Sequence, residues 1–136
     1  GWNVTAFDIA PTAVKWASKR YPHENIRWAV GDLLQPNKKW LKAFDLVLEV
    51  HILQAIPEEF RIPASRNLSP LVSPSGQLVC IGRLSVDEPI EHNGPPWPLS
   101  KEFISSIGNN LKSIDFTPAQ FEGEESVRYR AVWINE

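Results

Sequence analysis

Phe44-Asp45-Leu46-Val47-Leu48-Glu49-Val50 decides the fold. Five of these seven residues are apolar, interrupted only by Asp45 and Glu49. A strand of that kind has both faces covered, as in a parallel sheet flanked by helices. Upstream, Trp2-Asn3-Val4-Thr5-Ala6-Phe7-Asp8-Ile9 reads as a short strand of β-formers. Pro11 then opens a helix at a position where its missing N–H costs nothing. Ala13, Val14, Trp16, Ala17 and Tyr21 recur with helical spacing until Pro22 stops it. Ala10 stands where a capping Ser, Thr, Asp or Asn is expected, so the start is weakly capped. Ile26-Arg27-Trp28-Ala29-Val30 is a second strand, broken at Gly31-Asp32, and Trp40 and Leu41 with Phe44 form a short helical turn.

Downstream, residues 57–71 read as a helix with Phe60, Ala64, Leu68 and Leu71 on one face. Pro63 within it requires a kink or a late start. Ser73-Pro74-Ser75-Gly76 signals a turn, and Gln77-Leu78-Val79-Cys80-Ile81-Gly82 is the next buried strand. Residues 87–98 hold four prolines and no periodicity, which makes a loop. Ser100 caps a helix through Phe103, Ile104 and Ile107 that ends near Gly108. Residues 111–116 and 126–134 alternate as strands, the second with Val127, Tyr129, Ala131 and Trp133 on one side. Glu122, Glu124 and Glu125 form a solvated turn between them, and Trp2, Trp16, Trp28, Trp40 and Trp133 read as core. Strands alternating with helices give a doubly wound α/β fold with a mainly parallel sheet. The last two strands have no helix between them and are expected to pair as an antiparallel C-terminal hairpin.

The chain has 136 residues, 43% of them hydrophobic, which suits a single domain over residues 1–136. A net charge of -2 with no basic excess argues against nucleic acid as a partner. No apolar run approaches the ~20 residues of a membrane-spanning helix, and no signal peptide is visible, so no membrane partner is expected. The one cysteine, Cys80, cannot form an internal disulfide, which points to a reducing, cytoplasmic setting. Within an apolar strand it reads as a small hydrophobe. No His, Cys and Asp spacing suggests a metal site, and there is no Ser-centred elbow or phosphate loop. The 12 prolines, the absence of methionine and a start at Gly1-Trp2 inside a strand lead us to expect a fragment or a processed chain.

Ligands of open α/β sheets bind at the carboxyl ends of the strands. The residues at those ends are Asp8, Asp32, Glu49 with His51, and Arg83. Carboxylates are poor strand residues and costly to bury unpaired. Asp8 is placed to accept a bidentate hydrogen bond from two ribose hydroxyls, and Asp32 to accept from the exocyclic amine of adenine. The alternative for each is a cap on the following turn. Histidine is the side chain suited to proton transfer near neutral pH, yet His51 at a loop position reads equally as a packed residue. Arg83 either binds an anionic acceptor or pairs with Asp87 or Glu88. Trp97, stiff among prolines, either forms a lid over substrate or plugs the end of the sheet.

Val4-Thr5-Ala6-Phe7-Asp8-Ile9-Ala10-Pro11-Thr12-Ala13 resembles the second-strand motif of class I S-adenosylmethionine-dependent methyltransferases. Val30-Gly31-Asp32-Leu33-Leu34 is similar to their third-strand motif, and Phe44-Asp45-Leu46-Val47-Leu48-Glu49 to their fourth. Leu71-Val72-Ser73-Pro74-Ser75-Gly76-Gln77-Leu78 resembles the L-x-P-G-G-x-L turn before their fifth strand, with Ser75 in place of the first glycine. Gly94-Pro95-Pro96-Trp97-Pro98-Leu99 is similar to a loop of the thiopurine-methyltransferase-like and tellurite-resistance-like branch. The resemblance implies a Rossmann-like sheet, S-adenosyl-L-methionine as cofactor and a small-molecule acceptor. It implies Asp8 on the ribose hydroxyls, Ile9 packed on the adenine, Asp32 at the adenine amine and the Leu33 N–H at a ring nitrogen. Glu49 falls close to the sulfonium and the acceptor, with His51 as catalytic base and Arg83 and Trp97 on the acceptor side.

The family's first strand and glycine-rich loop have no counterpart among these residues. The resemblance puts that strand in mid-sheet, between the strands ending at Asp8 and Glu49. Its loss leaves two edges facing across about 9–10 Å, with unpaired backbone along a slot. Three outcomes are expected: the sheet closes up, a second copy fills the slot as a homodimer, or the natural protein carries about 50 more N-terminal residues. Two other functions remain open: a non-catalytic module that binds a nucleoside weakly or dimerises, and a nicotinamide-dependent dehydrogenase, in which Asp8 would also hold a ribose.

Overall fold

Val4–Asp8 (β1) and Ile26–Val30 (β2) pair in parallel, Val4 opposite Ile26 and Asp8 opposite Val30. Pro11–Arg20 (α1) crosses between them. Proline at its first turn and Lys19 and Arg20 in its last suit the two ends of the helix dipole. Ala10 provides no side-chain cap, as its identity requires. This βαβ piece belongs to the first of two compact units, Gly1–Asn37 and Lys38–Glu136, into which the computed structural model divides; it describes residues 1–22, 25–86 and 94–136. In the first unit no described residue is fully buried, and Trp2 and Trp16 are 67% and 73% exposed. Two tryptophans expected in the core therefore lie on the surface, because one short helix over two strands has no second layer to enclose them.

The second unit is a four-stranded sheet in the order β3-β4-β6-β5. Phe44–Val50 (β3) runs parallel to Val72–Arg83 (β4); Lys112–Ala119 (β5) and Arg128–Ile134 (β6) pair antiparallel, and β6 also pairs antiparallel with β4. Three of these four strands thus share one direction and the C-terminal hairpin supplies the exception. Glu58–Arg66 (α2) and Lys101–Ile107 (α3) complete the unit. Among the described residues, β1 pairs only with β2 and β3 only with β4, so no strand of the chain takes the mid-sheet place that the resemblance left open.

Local chemistry explains two departures from the sequence reading. The turn signal Ser73-Pro74-Ser75-Gly76 lies inside β4 as an excursion: Phe44 pairs with Val72 but Leu46 with Gln77. Ser75 adopts φ 64, and Asn135 stitches the excursion down with Nδ2 donating to Val72 O and Ser73 O. The expected long helix stops at Arg66, and a separate 3-10 turn, Ser69–Leu71, carries the chain into β4. Pro63 sits within α2, and of the expected face Ala64, Leu68 and Leu71 are buried while Phe60 is exposed.

The core of the second unit gathers Leu53, Leu78, Ile104, Ile107, Tyr129, Ala131 and Trp133. Tyr129, Ala131 and Trp133 come from one side of β6, as strict alternation requires. Ser100 caps α3 by accepting the Phe103 N–H at 3.1 Å. At its other end, a Cβ on Gly108 would stand 2.2 Å from the Trp133 ring. The backbone there is ordinary helix, φ -64, so the constraint is purely one of space. Gly108→Ala is expected to cost about 1–3 kcal/mol, read as a lowered midpoint in thermal unfolding; an unchanged midpoint would show that the ring shifts freely.

Candidate functional site

In the first unit the site begins where β1 and β2 end. Asp8 Oδ1 accepts the Ala10 N–H at 2.8 Å, an Asx turn that directs the chain into α1. Gly31 N–H donates to Asp8 O at 3.0 Å, so the backbone beyond β2 stays beside that of β1. Asp32 Oδ1 then accepts the Leu34 N–H at 2.8 Å. Both aspartates thus do perform the capping role, each with one oxygen, and each carries a second oxygen with no hydrogen bond to a described residue. Asp8 is exposed, Asp32 half-buried, and Ile9 beside Asp8 is 67% exposed. The exposed Ile9 side chain thus lies beside the Asp8 acceptor, with Asp32 at the end of the adjacent strand.

In the second unit a single turn, Leu53–Ala55, connects every candidate residue. Glu49 is buried, 3% exposed, and its Oε1 accepts the N–H groups of Ile52 and Leu53 at 2.7 and 3.0 Å. The chain can fold back this sharply because His51 lies in the left-handed region, φ 62, with its own N–H donating to Ile81 O. Gln54 is 1% exposed; its side-chain Oε1 accepts the Arg83 N–H at 2.7 Å and its backbone carbonyl accepts the Trp97 N–H at 2.8 Å. Arg61 on α2 donates to the carbonyls of Leu53 and Ile56 and stands 5.7 Å from the Trp97 ring centroid. Glu49, His51, Arg83 and Trp97 are therefore brought together through one polar hub.

Gln54 and Arg61 are absent from the sequence reading. Gln54 had a signal, a lone amide within the apolar run Ile52-Leu53-Gln54-Ala55-Ile56, whereas Arg61 on a solvated helix had none. Arg83 also lines a pocket of about 490 Å³ with Glu124, Glu125 and Arg128. Glu124 is engaged there by Arg128 through two hydrogen bonds of 2.9 and 2.7 Å. The alternative partners considered for Arg83, Asp87 and Glu88, lie outside the described residues. Among those residues no cluster of His, Cys, Asp and Glu could hold a metal, and no helix is long and apolar enough to cross a membrane.

Burial raises the Glu49 carboxyl above its ordinary 4.5, against the lowering effect of the Leu53 and Ile52 N–H groups and of Cys80 and His51 nearby. The same burial, with Glu49 beside it, pushes the Cys80 thiol well above its usual range, so Cys80 is an inert strand residue. A carboxyl raised in the fold binds more protons native than unfolded, so its contribution to stability is full below about 4.5 and declines as pH climbs through the native value. Glu49→Gln, which preserves an acceptor for Ile52 and Leu53, should flatten this decline in denaturant titrations across pH 4–8. An unaltered pH slope in the variant would show that Glu49 does not produce it.

Residues 1–80 match the family model described as "Methyltransferase domain". A thiopurine S-methyltransferase from Teredinibacter turnerae is 29% identical over 100 residues, 73% of this chain and 45% of that protein. The chain thus spans less than half the length of this curated relative. The N-methyltransferase NodS of Bradyrhizobium japonicum, solved with S-adenosyl-L-homocysteine, superposes with TM-score 0.72 at 21% identity, covering 96% of this chain and 65% of that one. TehB from Haemophilus influenzae superposes with TM-score 0.73 at 12% identity, covering 100% of this chain and 51% of that one. At these identities the structures establish the Rossmann-like α/β fold, and the family match over more than half of the sequence shows that the chain belongs to the methyltransferase-domain family.

Proposed function

We propose that residues 1–136 form a single methyltransferase domain that takes part in transfer of a methyl group from S-adenosyl-L-methionine to a small-molecule acceptor. The observation that carries the proposal is the pair of strand-end carboxylates Asp8 and Asp32, each holding its turn with one oxygen. Asp8 would accept from both ribose hydroxyls, Asp32 from the adenine amine, and Ile9 would cover the adenine face, with the Leu33 N–H at a ring nitrogen. The cofactor, when bound, supplies a methyl group on a cationic sulfur. The acceptor's lone pair must approach that carbon in line with the departing sulfur, so the protein's work is alignment and exclusion of water.

His51 accepts the proton of an acceptor that carries one, its backbone fixed by Glu49 through the turn that follows. Glu49 acts through that turn, so its role is positioning. Trp97, braced by Arg61 and by Gln54, forms an aromatic wall, and Arg83 offers a cation for an anionic acceptor. The relative named for thiopurine S-methylation and the neighbour named as an N-methyltransferase support a small heteroatom nucleophile.

Calorimetry of the chain with S-adenosyl-L-homocysteine tests the cofactor role. Asp8→Asn keeps a side-chain oxygen for the Ala10 N–H, and so the turn, while replacing the second carboxylate oxygen by a donor. Loss of two charge-assisted hydrogen bonds should weaken binding about 10- to 100-fold. Equal affinities for wild type and variant would remove Asp8 from the site, and no binding by either would leave the non-catalytic reading.

That second reading is favoured by one observation. β3 is an edge strand in its sheet, and Leu46, Leu48 and Val50 along one face are 39%, 58% and 40% exposed. A bare apolar edge invites another strand, and a second copy of the chain would supply one. Sedimentation velocity is expected to show a concentration-dependent dimer that Leu48→Lys shifts to monomer; a wild-type monomer at all concentrations would contradict the association.

A further inference from the structure

Behind the Leu53–Ala55 turn, three buried polar atoms have no hydrogen-bond partner among the described residues: Glu49 Oε2, Gln54 Nε2 and Tyr129 Oη. Their residues are 3%, 1% and 2% exposed. Isolated buried polar atoms are expensive, and natural proteins hold few of them. Three such atoms on one face of the sheet call for an explanation. They share one face of the second sheet: Glu49 lies opposite Cys80, and Gly82, two residues further along β4, lies opposite Tyr129.

The amide of Gln54 is oriented without ambiguity. The atom that accepts the Arg83 N–H at 2.7 Å must be the oxygen, so the NH2 group is turned elsewhere. Gly82 is what lets these groups approach. A Cβ there would stand 2.5 Å from Gln54 Oε1 and 3.1 Å from Tyr129 Oη, so both side chains fill the space a larger residue would claim. Burial, with Glu49 and Cys80 on the same face, raises the Tyr129 hydroxyl above its ordinary range.

We propose that Glu49, Gln54 and Tyr129 together form an internal hydration site holding one water molecule. The inventory fits one water: Gln54 Nε2 and Tyr129 Oη donate to its oxygen, and it donates to Glu49 Oε2. Three hydrogen bonds are the usual number for a buried water. If Glu49 takes up a proton, its carboxyl donates to the water and the water donates to the Tyr129 hydroxyl, so the water keeps three hydrogen bonds. The site fixes Glu49 and Gln54 from behind while their front atoms hold the turn and the Arg83 backbone. It rests on the packing of the second unit alone, independent of the methyl-transfer reading.

A crystal structure of the full chain that resolves ordered water is expected to show a peak within hydrogen-bond distance of all three atoms. Tyr129→Phe deletes only one donor, and its thermal midpoint should fall by about 3–5 °C. A dry cluster in the crystal would overturn the proposal. So would a variant midpoint equal to or above wild type, since deleting an unpaired buried hydroxyl is neutral or stabilising. Should the variant fail to fold, the crystallographic outcome decides.

Discussion

A carboxylate at the carboxyl end of a parallel strand, accepting the N–H groups of the turn beyond it, is the contact on which the structure depends. It occurs three times: Asp8 to Ala10, Asp32 to Leu34, and Glu49 to Ile52 and Leu53. The chain must leave each strand abruptly, and its first N–H groups then lack backbone partners. A side-chain oxygen satisfies them. At Asp8 and Asp32 the same geometry leaves one oxygen without a backbone partner, at the end of the strands where open α/β sheets bind ligands.

The three instances differ in environment, and the difference assigns their roles. Asp8 is exposed and Asp32 half-buried, both accessible to donors of a bound molecule. Glu49 is enclosed, its pKa raised by desolvation, and works inward on the turn that carries His51 and Gln54. Around that turn the side chain and carbonyl of Gln54 and the guanidinium of Arg61 draw together segments far apart in sequence.

The sequence made the strands legible where local pattern and tertiary demand agree. β2 and β3 begin and end where their apolar runs do, and α3 starts at its serine cap. It misled where a partner surface decides. Trp2 and Trp16 look like core residues but have no second layer in their unit, and the Ser73-Pro74-Ser75-Gly76 signal marks an excursion within a strand because Asn135, sixty residues on, ties it down. The strand-end acids were visible as chemistry out of place. The burial of Glu49 and the hub around Gln54 were not, since both follow from contacts between β3, β4 and the segment at Trp97.

The account stands or falls on whether the Asp8 and Asp32 strand ends hold an adenosine. A crystal structure of this chain with S-adenosyl-L-homocysteine measures that directly. The ribose hydroxyls are predicted to lie within hydrogen-bonding distance of the Asp8 carboxylate, with the adenine against Ile9 and its amine facing Asp32. A nucleoside bound elsewhere, with both aspartates touching only their own turns, would contradict it.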